Sequence, residues 1–256
     1  MTTWTALGRA VAIAAMVLCS AAAHAQSPEQ CAAPSYLLTG DSPLDRVNAA
    51  VTKDKTLKVV VLGGTSSTLP GPDGASFAYP ARLEAALNRR LGGVKVSVAA
   101  HTKGRQSAAD MADTIGRLMI DEKPDLVVWQ TGTYDAVHGT DPEVFRATVA
   151  DGVERIRKAG PDVVLMNMQY SPRTESIVAV GAYADGMRWV SRELDVPVFD
   201  RLAIMHSWYD AGQFDLYATT KDLKMAKAVH ECIGEDLGTL IIDAAHLGDY
   251  EGKAPQ

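Results

Sequence analysis

KVVVLGGTSST, Lys58 to Thr68, is the stretch whose reading decides the fold. Val59-Val60-Val61-Leu62 is an unbroken apolar run, the pattern of a strand buried on both faces of a parallel sheet. Gly63-Gly64 ends the run, and four hydroxyl residues follow, Thr65, Ser66, Ser67 and Thr68. Ligands of open α/β sheets bind beyond the carboxyl ends of strands, which is where this turn falls.

Upstream, residues 26–56 are polar, with Pro28, Pro34 and Pro43, and read as an N-terminal arm plus a short helix from Pro43 to Val51. Downstream, Tyr79 to Leu91 reads as a helix, with Leu83, Leu87 and Leu91 on one face and Gly92-Gly93 as its stop. Val94 to Ala100 alternates as a second strand. His101 to Gln106 is a loop, and Ser107 caps a helix through Asp121. Leu126 to Trp129 is a third strand that ends in Gln130-Thr131-Gly132-Thr133-Tyr134-Asp135. Pro142 sits well at the first position of a helix that runs to Gly160. Asp162 to Met168 is a fourth strand, Thr174 to Leu194 a long helix interrupted by glycines, and Val196 to Phe199 a fifth strand, placed at the sheet edge by Pro197. Asp200 to Thr220 reads as a long aromatic-rich loop, and the last helix spans residues 222 to about 242. Strand and helix alternate five times, which predicts an α/β fold, a three-layer α/β/α sandwich around a five-stranded parallel sheet, in one domain from 26 to 256.

Residues 1–25 read as a removable leader: Arg9, an apolar stretch from Ala10 to Leu18, and the small-x-small pattern Ala23-His24-Ala25. The apolar stretch is shorter than the ~20 residues of a membrane span. Cys19 invites a lipoprotein reading, which the bulk of Leu18 before it opposes. Export to the periplasm or beyond follows, with no integral membrane segment after cleavage. The net charge of −6 becomes −7 once Arg9 is lost. No basic run alternates with aromatics, so no nucleic-acid footprint is present. No CxxC or histidine-rich cluster points to a structural metal, and the turn after the first strand lacks the spacing and lysine of a phosphate loop, so no cofactor is expected. Of the three cysteines, Cys31 and Cys232 survive cleavage; an exported chain with two cysteines suggests one bridge, the alternative being two buried thiols.

Three loops, after strands one, two and three, open on the same sheet edge. They offer Ser66, Gly104 and Gly132 to Asp135. A hydroxyl nucleophile, a backbone donor and a polar side chain that converge are the parts of an acyl-transfer site. Here the chain resembles the SGNH (GDSL) hydrolases. Gly64-Thr65-Ser66-Ser67-Thr68 is similar to their first block, Gly104 to the second-block glycine, and Gly132-Thr133-Tyr134-Asp135 to the third, Gly-x-Asn-Asp. The resemblance implies a flavodoxin-like strand order and a serine esterase acting on a small-molecule or carbohydrate ester. It implies Ser66 as nucleophile, with the N–H groups of Ser66 and Gly104 as oxyanion donors. Thr65, Thr68 and Asp135 fall in the binding loops.

The departures are as informative. Thr65 replaces the usual Asp of the first block. Tyr134 replaces the oxyanion Asn, and it would assist the site, shape the pocket or serve as a platform for a sugar ring. Asp243-Ala244-Ala245-His246 fits the late Asp-x-x-His motif by letter, which makes His246 oriented by Asp243 the motif candidate for the base. The last helix precedes it, however, and about 20 helical residues carry the chain roughly 30 Å. Only a break at Gly234 or Gly238 returns His246 to the site. Where the family places its Asp and His, this chain has Lys221 and Lys224. A charged lysine cannot accept the serine proton, but it attracts an anion. His101, His138, His206 and His230 are further candidates for the base, and His101 and His138 lie in loops at the active edge where either could stand in; the alternative reading is an exposed loop histidine or, for His230, a surface or packing residue. Two functions follow from these residues: a serine ester hydrolase, or a catalytically inactive domain of the same fold that binds a glycan, envelope component or protein partner. Ser66 itself reads either as nucleophile or as a turn hydroxyl.

Overall fold

A computed structural model describes residues 31–217 and 223–250, together with residue 1. Apart from residue 1, the expected leader lies outside the described residues, as does Lys221. No helix among the described residues is long and apolar enough to cross a membrane.

In chain order the elements are α1 (Asp45–Ala49), β1 (Thr56–Gly63), α2 (Gly74–Phe77), α3 (Tyr79–Arg90), β2 (Lys95–Thr102), α4 (Ala108–Glu122) and β3 (Leu126–Gln130). There follow α5 (Thr133–His138), α6 (Pro142–Ala159), β4 (Asp162–Met166), α7 (Pro172–Glu175), α8 (Gly181–Leu194), β5 (Val198–Phe199), α9 (Arg201–Asp210) and α10 (Lys224–Ala244). The five strands form one parallel sheet in the order β2-β1-β3-β4-β5. Val59 lies opposite both Val98 and Leu126, so β1 is flanked on both sides. Every residue of β3 is buried, as expected of a central strand covered by helices on both faces. On one face α3 packs against β2 and α10; α4, α6 and α8 pack in a row on the other. The chain leaves β1 toward one side of the sheet and builds the other side from β3. The switch point therefore falls between the carboxyl ends of β1 and β3, where this class of fold holds its ligands.

Two sequence expectations need correction, and both alter the site. The helix expected over Thr174 to Leu194 is two helices, α7 and α8. The interval, residues 176–180, holds the β-branched Ile177, Val178 and Val180, which are poorer helix formers than alanine or leucine, and the chain turns there instead. The loop expected over Asp200 to Thr220 begins with α9. The Asp200 carboxylate caps it by accepting the Ala203 N–H, and Ile204, Met205 and Trp208 are buried beneath it. This helix brings Arg201 to the carboxyl edge of the sheet.

Candidate active site

The β1 turn is a 3₁₀ turn, Thr65–Ser67, entered through Gly64. Gly63 is required by a close approach: a Cβ there would lie 2.2 Å from Ser67 Oγ. A cavity of about 660 Å³ opens over the turn, in the range of small-ligand pockets. Thr65, Ser66, Thr68 and Tyr134 line it, together with Gln130 and Arg201. The three strand-end loops do meet here. Gly104 lies against the first loop, where a Cβ on it would stand 2.8 Å from Thr65 Oγ1.

Gln130, the last residue of β3, organises the turn, and sequence reasoning did not single it out. Its buried Oε1 accepts from the Gly64 N–H at 3.3 Å, Ser66 Oγ at 3.2 Å and Ser67 Oγ at 2.7 Å. Ser67 Oγ has its proton committed to Gln130, so the Tyr79 hydroxyl donates to it at 3.0 Å. Burial pushes the Tyr79 phenol up to about 12, which keeps it a donor. The hydroxyl of Ser66 thus points its proton at a neutral amide oxygen, a group with no useful basicity.

The five described histidines occupy other roles or other places. His230, on α10, lines the cavity, but its Nδ1 accepts the Tyr79 N–H at 2.9 Å. Its other nitrogen therefore carries the proton of the neutral ring and can only donate. Burial, reinforced by the Arg201 charge, lowers its pKa to about 3, so the ring stays neutral. His101 bonds Glu122 at 2.9 Å, and His206 pairs with Asp210. His138 stacks on the Tyr134 ring at 3.8 Å between centroids. Tyr134 thus lies in the cavity wall as half of an aromatic pair.

The expected base, His246 with Asp243, is at the wrong end of the molecule. The α10 helix is unbroken through Gly234 and Gly238, and Gly234 is a packing site against α3: a Cβ there would meet Arg82 at 2.5 Å. The end of α10 is tied to the arm before β1. The Leu44 N–H donates to Ala244 O, Asn48 Nδ2 donates to Ala245 O, and Asp243 accepts the Gly40 N–H. The same α1 segment bonds Asp162, where β4 begins. His246 is therefore exposed at the amino edge of the sheet, and Asp243 holds the arm rather than an imidazole. Asp135 is not among the residues that line the cavity. It is buried and accepts the Ala108 N–H at 2.9 Å, which pins the β3 loop to the start of α4, and burial raises its pKa. Lys224 lines a smaller adjoining cavity with Phe77 and Lys227.

Arg201 is the other residue that sequence reasoning missed. It is 1% exposed. Its Nη1 donates to the Ser66 carbonyl at 3.0 Å, Nη2 faces Gln169 Oε1 at 3.5 Å, and its Nε is buried without a partner. The guanidinium carbon lies 5.7 Å from the Tyr79 ring centroid. Burial lowers its pKa to about 10, which leaves it a cation at neutral pH. Asp200 followed by the apolar spacing of Leu202, Met205 and Trp208 was a readable helix start, and it would have placed Arg201 at the sheet edge.

The expected disulfide is present, Cys31 to Cys232.

Comparison with solved structures supports the SGNH hydrolase fold. The structure described as TesA aligns with a TM-score of 0.60 at 19% identity, covering 73% of this chain and 99% of that one. LAE5, an alpha/beta hydrolase from the metagenome of Lake Arreo, aligns at 0.58 with 18% identity over 74% and 95% of the two chains. Axe2, an acetyl-xylooligosaccharide esterase from Geobacillus stearmophilus, aligns at 0.55 with 14% identity over 78% and 96%. A search of curated proteins gave no match. The Non-GDSL lipase-like family model matches residues 30–247, nearly the whole described domain, and the chain belongs to that family.

Proposed function

We propose that this chain is an exported binding protein on an esterase scaffold: its cavity holds an acyl-bearing or related small molecule and does not cleave it by a serine–histidine mechanism. One observation carries the reading. The Ser66 hydroxyl donates to the Gln130 amide, while the histidine of the same cavity, His230, has its accepting nitrogen occupied by the Tyr79 N–H. General-base catalysis needs an acceptor within reach of the serine proton. The base motif by letter is held at the opposite sheet edge. Loss of an oxyanion donor alone typically lowers turnover about 10²–10³-fold, and here Tyr134 stands in the place of that donor. Export is supported by the leader-like residues 1–25 and by the Cys31–Cys232 bridge, since disulfides persist in oxidising compartments.

Ester hydrolysis is the second reading. It is favoured by the Ser66 hydroxyl standing in the cavity wall at the sheet's carboxyl edge, on a fold shared with esterases such as Axe2. A fluorophosphonate probe and p-nitrophenyl esters of short and medium acids separate the two. The expected outcome is no labelling, and hydrolysis at the background rate, in both wild type and Ser66→Ala. Labelling that disappears in Ser66→Ala overturns the binding reading and establishes the hydrolase.

A further inference from the structure

We propose that the cavity over Ser66 takes an oxyanion carried on an apolar tail, with the Arg201 guanidinium as its counter-ion. The ligand class is a carboxylate or monophosphate amphiphile. The inference deepens the binding reading above and rests on it.

The first support is the sign of the cavity. Arg105, Arg173 and Arg201 line it, and no Asp or Glu does among the described residues. The chain as a whole carries −6, so this sign is a local arrangement rather than a reflection of composition. The second support is the state of Arg201. A buried ion is stable only when paired or well bonded. Among the described residues both partners of Arg201 are neutral oxygens, and its Nε has none. A guanidinium has five donors in a planar fork suited to carboxylate and phosphate, and at most two of them are used here. The group remains a cation at neutral pH despite its burial, so its missing partner is an anion. The third support is a pair of hydroxyls. Thr131 Oγ1 and Thr133 Oγ1 are buried without partners, and both residues line the cavity. They are hydroxyl donors without a protein partner among the described residues, on the same cavity wall.

Part of the wall is apolar: Leu69, Met111, Val137, Met205, Leu216 and Met225. Methionines adapt to tails of irregular shape. Arg173 is exposed and held over the Tyr217 ring at 4.8 Å, and Arg105 is exposed as well. At the rim such cations draw an anion toward the opening. A small inorganic anion leaves the apolar wall unused, and a neutral lipid leaves Arg201 unpaired. An anionic amphiphile satisfies both.

Calorimetric titration of the full chain with sodium decanoate, decyl phosphate and decanol tests this. Decanoate or decyl phosphate is expected to bind about tenfold or more tightly than decanol, the scale of a buried charge-assisted hydrogen bond. The stronger of the two anions identifies the head group. Decanol binding as tightly as both anions overturns the inference and leaves the binding reading standing; so does failure of all three to bind. Arg201→Met, checked for folding by circular dichroism, is expected to bring the anions down to the decanol level. Retained preference in the folded variant overturns the assignment to Arg201. Where that variant does not fold, Arg201→Lys keeps the charge and loses the fork, with about tenfold weaker anion binding expected and undiminished binding counting against the assignment. Methyl decanoate forms a separate arm: its Ser66-dependent hydrolysis overturns the binding reading without touching the anion preference.

Discussion

The Ser66 proton is directed at Gln130, and the histidine that lines the same cavity, His230, has its accepting nitrogen occupied by the Tyr79 N–H. His230 serves the fold: it accepts the first N–H of α3 and closes the cavity floor. This makes a pH prediction. Its pKa is about 3 in the folded chain and about 6.5 in the unfolded one. A depressed folded-state pKa contributes stability that is present above the unfolded value. That stability is lost as the pH falls from about 6.5 toward 3, because the unfolded chain takes up the proton first. His230→Asn keeps an acceptor for the Tyr79 N–H without titrating. Urea unfolding should show wild type losing about 3 kcal/mol more than the variant between roughly pH 7 and pH 4. Parallel losses in the two proteins would show that His230 is not held neutral.

At the scale of elements, α10 decides the fate of the base motif. It is 21 residues long and runs unbroken through Gly234 and Gly238. Gly234 lets α10 approach α3 so closely that a Cβ would lie 2.5 Å from Arg82 Cβ and 2.8 Å from backbone atoms of Arg82 and Leu83. Two of those contacts are to backbone, so they cannot move aside as a flexible side-chain end would. Gly234→Ala should therefore destabilise by about 1–3 kcal/mol, although alanine is the better helix former by about 1 kcal/mol. Thermal unfolding of the variant measures this, and a stabilised variant would mean that the two helices separate easily. The short helix α9 is the other decisive element. Read as loop, it would leave Arg201 unplaced; as a helix capped by Asp200, it buries the guanidinium behind Ser66.

At the scale of the molecule, the N-terminal arm is closed onto α10 from two ends. Cys31 bonds Cys232 in the middle of the helix, and Gly40, Leu44 and Asn48 bond its last turn. The bridge spans 201 residues, and a loop of that length has an ideal closure entropy worth about 5 kcal/mol in the unfolded chain. Cys31→Ser, or reductant added to wild type, should lower the unfolding free energy by about 2–5 kcal/mol in denaturant titrations. An unfolding midpoint indifferent to reductant would show that the thiols are not bridged in solution.

The sheet was legible because its strands carry their instructions locally. Val59 to Leu62 and Leu126 to Trp129 are apolar runs between turn residues, and Ser107 and Asp141 announce the helices that follow. The position of Ser66 at the carboxyl edge follows from that pattern alone, since the end of a parallel strand is fixed by its own sequence. What Ser66 can do was not local. Asp243 and His246 match a motif in spacing, but spacing in sequence says nothing of which sheet edge a helix delivers them to; the unbroken length of α10 decided that. Gln130, His230 and Arg201 come from β3, α10 and α9, and each is defined by a partner at least 63 residues away in the chain. Hydrogen bonds act over about 3 Å whatever the separation along the chain. Local pattern is therefore enough for the fold and for the place of the nucleophile-like serine. That its proton meets an amide, and that a buried arginine with no counter-ion among the described residues stands beside it, depends on contacts between segments far apart in the chain.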